Sequence, residues 1–211
     1  MPQDPKKQQK AVMKKRKKLA GQHKVSPKAN LTFSKNAIIH DARSYPLLEC
    51  WISSDWKNEQ PGLVQIIIAR QQPDGRVCCG LYLVDKLCLG LKNTFVRTDY
   101  SQQRYQREVF EPVDMRTPLI ACDLELAQQM IYASIDYAAQ FGFTPQRDFN
   151  QSQYLLTPRG ELPEPYKITF GRKGKPLYIA GPDDNSRFII QQLEQTAGPG
   201  NFNFMSPLAD F

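Results

Sequence analysis

A chain of 211 residues, 41% apolar and 23% charged, is long enough for one sizeable hydrophobic core and apolar enough to fold. Its formal charge of +7 is unevenly spread: residues 1–30 hold nine lysines and Arg16 against the single acid Asp4, giving +9, while the remaining residues sum to −2. No apolar run is long enough to cross a bilayer, no secretory signal follows the basic start, and five cysteines are too few for a disulfide framework, which together point to a reduced, cytoplasmic setting with no membrane partner.

Taken in chain order, residues 1–30 read as a basic disordered arm. Val12, Met13 and Leu19 are too few to hold a helix against a core, and lysines three and four apart repel one another. The lysines Lys6, Lys7, Lys10, Lys14, Lys15, Lys17, Lys18 and Lys24, with Arg16, are candidate phosphate contacts. Residues 31–197 read as a single α+β domain. Its first strand candidate is Leu47 to Ile52. Leu63 to Gln71 and Arg76 to Asp85 follow as β-rich runs around Pro73-Asp74-Gly75, a tight-turn signal, and their lack of polar alternation places them centrally in a sheet. Gly90 marks a bulge or a close backbone approach in the next run. Tyr100 to Phe110 reads as a short surface helix ended by Pro112.

Leu124 to Phe141 carries Leu124, Ala127, Ile131, Ile135 and Ala138 at helical spacing, with Asp123 available as a cap and Gly142-Phe143 as a stop. A second hairpin is expected between Tyr166–Gly171 and Pro176–Ala180, turning at Arg172–Lys175. A helix follows with Phe188, Ile189 and Leu193 on its apolar side. Residues 198–211 form an apolar C-terminal tail, whose Phe202, Phe204, Met205, Leu208 and Phe211 are costly to leave in water, so it is expected to dock. An antiparallel sheet built from two hairpins, with amphipathic helices packed on one face, is the expected architecture.

Chemistry is sparse. There is no CxxC, no Gly-rich phosphate loop and no GxSxG or HExxH, and His23 and His40 are the only histidines, so neither a metal site nor a cofactor is expected. The cysteines read as reduced core residues. Asp85, Asp183 and Asp184 are the weak catalytic candidates: acids at a strand end and before a helix are how a divalent ion is often held. The plainer account gives them structural work, with Asp85 ending its strand and Asp183 or Asp184 capping the helix.

The segments CWISSDW and IIIARQQPDGRVCCGLYLVDKLCLGLKNTF within Cys50 to Phe95, YASIDYAAQFGFTPQRDF at 132–149 and GKPLYIAGPDDNSR at 174–187 together resemble a widespread family of functionally uncharacterised bacterial proteins. The resemblance implies a shared fold and no known activity, so it assigns no role to Asp85, Lys92, Asp148 or Asp183.

The leading functional reading is a non-enzymatic adaptor whose arm binds RNA or DNA without sequence preference while the body or tail engages a protein partner. Two readings compete with it. One is a carboxylate- or metal-dependent nuclease or phosphotransfer enzyme; the other is a protein-interaction module whose basic arm only solubilises it or addresses it to a nucleus.

Overall fold

In the computed structural model, which describes residues 34–59, 62–161 and 166–205, a five-stranded antiparallel sheet runs in the order β4-β3-β2-β1-β5. Its strands are β1 (Leu47–Ser53), β2 (Leu63–Gln71), β3 (Val77–Asp85), β4 (Gly90–Tyr100) and β5 (Leu119–Ala121). The α+β class with an antiparallel sheet and packed helices is thus the one expected. The first four strands form a meander, since antiparallel neighbours need only short turns. The arm, with every candidate phosphate contact from Lys6 to Lys24, lies outside the described residues, as do Leu208 and Phe211.

β2 and β3 are central and buried on both sides, which is why their sequences do not alternate. Ile66, Ile68, Tyr82 and Val84 face one core, and Ile67, Ala69, Cys79 and Leu81 face another. The turn between them has Gly75 at φ +84°, with Gly75 N–H donating to Gln72 C=O at 2.9 Å and Gln72 N–H to Arg76 C=O at 2.8 Å. Asp74 completes it by accepting from Arg76 N–H at 3.0 Å. This is a three-residue hairpin loop closed by a left-handed glycine. A Cβ at Gly75 would meet nothing within 4 Å, so only backbone strain opposes a substitution. Gly75→Val is therefore expected to destabilise by about 1 kcal/mol, lowering the melting temperature by roughly 2–4 °C. An unchanged thermal melt would show that the left-handed conformation is not required.

Helix α1 (Lys35–Asp41), helix α2 (residues 102–114) and helix α3 (Leu124–Ala139) cover the sheet. α3 supplies Ala127, Met130, Ile131 and Ile135 to the first core. It ends as its sequence indicates: Gly142 has φ +77°, and Phe143 N–H reaches back to Ala138 C=O at 3.2 Å. Asp123 occupies the N-cap position, but its side chain makes no cap hydrogen bond. α1 adds Ile38 and Ile39 against Cys78, Val96 and Leu155.

α2 brings Tyr105 and Val109 to the second core, so helices lie against both sides of the central strands. It also runs past Pro112. A π-helical turn over Gln106–Phe110 separates the α segments Gln102–Tyr105 and Glu111–Asp114, leaving Pro112 in the first turn of the last segment, where a missing N–H costs little. Strand β5 has no counterpart in the sequence reading. It is only three residues long and pairs with the outer edge of β1.

The second hairpin is the main correction. Arg172 and Lys175 do form a turn, but residues 166–171 make no strand. Their backbone finds other partners, as when Gly171 N–H donates to Lys86 C=O at 2.9 Å, while Ile168 and Phe170 pack on the first core. β6 (Leu177–Ile179) instead pairs in parallel with β7 (Asn203–Met205), with helix α5 (Ser186–Thr196) making the crossover that parallel strands require. A short helix, α4 (Phe149–Ser152), precedes this unit. Ile189 and Leu193 of α5 bury against Cys88 and Tyr178, and Phe202 packs beside them. The tail from Gly198 thus docks in part, as a strand of a second small sheet.

Candidate functional site

The three carboxylates singled out by sequence line a single cleft of about 540 Å³ between the β3–β4 turn and the loop after β6, together with Lys92 and Asn93. Their states differ sharply. Asp85, the last residue of β3, is 6% exposed. One carboxylate oxygen accepts from Leu87 N–H at 2.8 Å and Cys88 N–H at 3.1 Å, and the other from Leu89 N–H at 3.3 Å. Burial pushes its carboxyl above the usual range; the three backbone donors and Lys92 pull against this without reversing it. Asp85 therefore organises the turn from Lys86 to Leu89, and Gly90 follows at φ +68° where a Cβ would lie 2.6 Å from the Ser134 carbonyl oxygen. The close approach expected at Gly90 is that of the turn to α3.

Asp184 is an ion-pair partner. Its Oδ2 accepts from Lys92 Nζ at 2.8 Å, Gly181 N–H at 2.8 Å and Tyr178 O–H at 3.3 Å. Burial raises its carboxyl, but Lys92, Gly181 and Tyr178 outweigh that and hold it below the ordinary value. Lys92 reaches it because the β3–β4 register slips: Leu83 pairs with Asn93 and Val84 with Leu91, leaving Lys92 as the extra residue of a bulge. Neither Asp183 nor Asp184 caps α5. That role falls to Asn185, whose side chain accepts from Phe188 N–H at 3.2 Å. Asp183 is exposed at the rim.

A divalent ion needs several ionised oxygens with free lone pairs converging on one point. Among the described residues no group of three or more His, Cys, Asp and Glu side chains is placed to hold one. Both oxygens of Asp85 accept from backbone N–H groups, and Oδ2 of Asp184 accepts from Lys92, Gly181 and Tyr178, so these two acids tie the β3–β4 turn and the loop after β6 in place.

Other buried cations are used in the same way. Arg70 donates to Leu155 C=O from Nε at 3.0 Å and Nη2 at 2.9 Å, and to Tyr45 C=O from Nη1 at 2.8 Å. Lys86 donates to the carbonyls of Trp56 and Asn58, clamping the loop after β1, and burial lowers its ammonium pKa. These clamps escape a sequence reading, since nothing distinguishes Arg70 or Lys86 from a solvated charge until the chain is folded. The cysteines are free, four of them buried and Cys122 half-buried. His40 is exposed and packs on Tyr154, with ring centroids 4.1 Å apart.

No helix among the described residues is long and apolar enough to cross a membrane. Comparison of the chain with protein-family models, with curated proteins and with solved structures finds no match.

Proposed function

We propose that this chain is a non-enzymatic cytoplasmic adaptor: the arm holds RNA or DNA through phosphate contacts, and the body engages a protein. The observation that carries the reading is the segregation of charge, +9 over residues 1–30 against −2 over the rest. Lysines on such an arm neutralise phosphates without a rigid fork to read bases, so the binding is insensitive to sequence.

Two features of the body favour a binding role over a catalytic one. Its candidate acids hold loops together, as the hydrogen bonds of Asp85 and Asp184 attest. The β6–β7 ribbon also leaves Ile179, Phe204 and Met205 substantially exposed, an apolar surface of the kind a protein partner covers. Ser34–Phe211 forms a compact unit of its own, so the arm can be removed without cutting into it.

Co-purification tests the proposal. Full-length protein isolated at low salt is expected to carry material absorbing at 260 nm that nuclease treatment strips, whereas a chain starting at Leu31 carries none. Equal amounts on both chains would move nucleic-acid binding to the body, and none on either would leave the arm a solubilising segment.

A further inference from the structure

We propose that Cys50 and Cys122 form a reversible disulfide that staples the edge of the main sheet to the start of α3. Cys50 lies on β1, and Cys122 directly follows β5. The register Trp51↔Ala121 sets the two cysteines opposite one another, and Cys122 N–H donates to Cys50 C=O at 3.0 Å. Directly opposed residues joined in this way stand about 5.5 Å apart at Cα, inside the range that a disulfide spans. The two side chains face the same core, and their sulfurs are 3.6 Å apart. Bond formation therefore needs side-chain rotation and little backbone movement.

The two thiols divide the chemistry. Cys122 is half-buried and the more accessible; Cys50 is 4% exposed. The hydrogen bond to Cys122 and burial hold the Cys50 thiol protonated far above its ordinary range, with Arg70 pulling the other way. Attack on an external disulfide thus begins at Cys122. With oxidised glutathione, the Cys122 thiolate displaces one glutathione and forms a mixed disulfide. Cys50 then attacks the Cys122 sulfur, and the departing second glutathione thiolate takes up its proton. The protein loses two protons and two electrons, and one glutathione disulfide becomes two thiols.

The consequence is local. β5 has three residues, pairs only with β1 and sits at the sheet edge, and Asp123 at the N-cap of α3 makes no side-chain cap bond, so a covalent link here would fasten a short edge strand. A covalent link between positions 72 residues apart would close a long loop of the unfolded chain.

The test is incubation of the folded full-length chain with oxidised glutathione, followed by peptide mapping of the non-reduced protein. A Cys50–Cys122 cross-link with loss of two mass units is expected, together with a melting temperature raised by roughly 5–10 °C and restored by dithiothreitol. Cys122→Ser should show no cross-link, and Cys50→Ala should stop at the glutathione adduct on Cys122. A wild-type chain that keeps both thiols free, stops at the adduct, or links other cysteines would overturn the proposal. The adduct on Cys50→Ala, read alongside unchanged circular dichroism, separates a missing partner thiol from a misfolded variant.

Discussion

Asp85→Ala is expected to destabilise the protein by about 3–5 kcal/mol, the largest single-residue effect anticipated for the body. The substitution removes the acceptor for three buried N–H groups, those of Leu87, Cys88 and Leu89, and an unsatisfied buried donor costs about 1–3 kcal/mol. Asp85→Asn should fall between alanine and wild type. It keeps one acceptor oxygen for Leu87 and Cys88 but turns an amide toward Leu89. Urea midpoints measure both. A catalytic Asp85 would give a different result, with stability nearly unchanged in either variant, and that outcome would contradict the turn-organising role.

The same residues give stability a two-signed pH dependence. Burial raises the folded-state carboxyl of Asp85 above its unfolded value. Its contribution is therefore fully present below the ordinary carboxylate range and is lost as pH rises through the folded value. Asp184 is held low, against its burial, by Lys92, Gly181 and Tyr178. Its contribution is present above the ordinary range and is lost as pH falls through the folded value. Asp85→Asn should remove the first dependence and Asp184→Asn the second.

Much of the body is legible in its sequence wherever local chemistry and tertiary packing agree. The Asp74-Gly75 turn, the doubly buried β2 and β3, and the run from Leu124 with its Gly142 stop each carry a signal that folding does not overrule. The second hairpin fails for the opposite reason. Tyr166, Ile168 and Phe170 alternate like a strand, yet Ile168 and Phe170 are drawn onto the α3 core, and β6 finds its partner beyond α5 instead. α2 shows a similar override, because a π turn lets the helix continue through a proline that ordinarily ends one.

The site divides along the same line. The fold brings Asp85, Asp183 and Asp184 into one cleft, and that Asp85 ends its strand follows from sequence. The pairing of Asp184 with Lys92 does not, since it depends on a one-residue slip between β3 and β4 that no local pattern encodes. The cap follows the same rule: Asn185 directly precedes the helix, one residue closer than Asp184 and two closer than Asp183, and position decides the matter.

The division of labour between arm and body is tested most directly by a salt titration of labelled RNA and duplex DNA against the full chain and a chain starting at Leu31. Each neutralised phosphate contributes about 0.9 to the log-log salt slope on duplex and about 0.7 on single strands, so roughly six to eight contacts from the arm give a slope of about 4–7. Affinity of the full chain should then fall by about 10²- to 10⁴-fold between 50 and 200 mM salt, with little dependence on sequence. The arm carries no aromatic residue to stack on unpaired bases, so no strong preference for single strands is expected. At 100 mM salt the shortened chain should bind neither ligand measurably, while binding by the shortened chain as tight as that of the full one would place recognition on the body and contradict the role assigned to the arm.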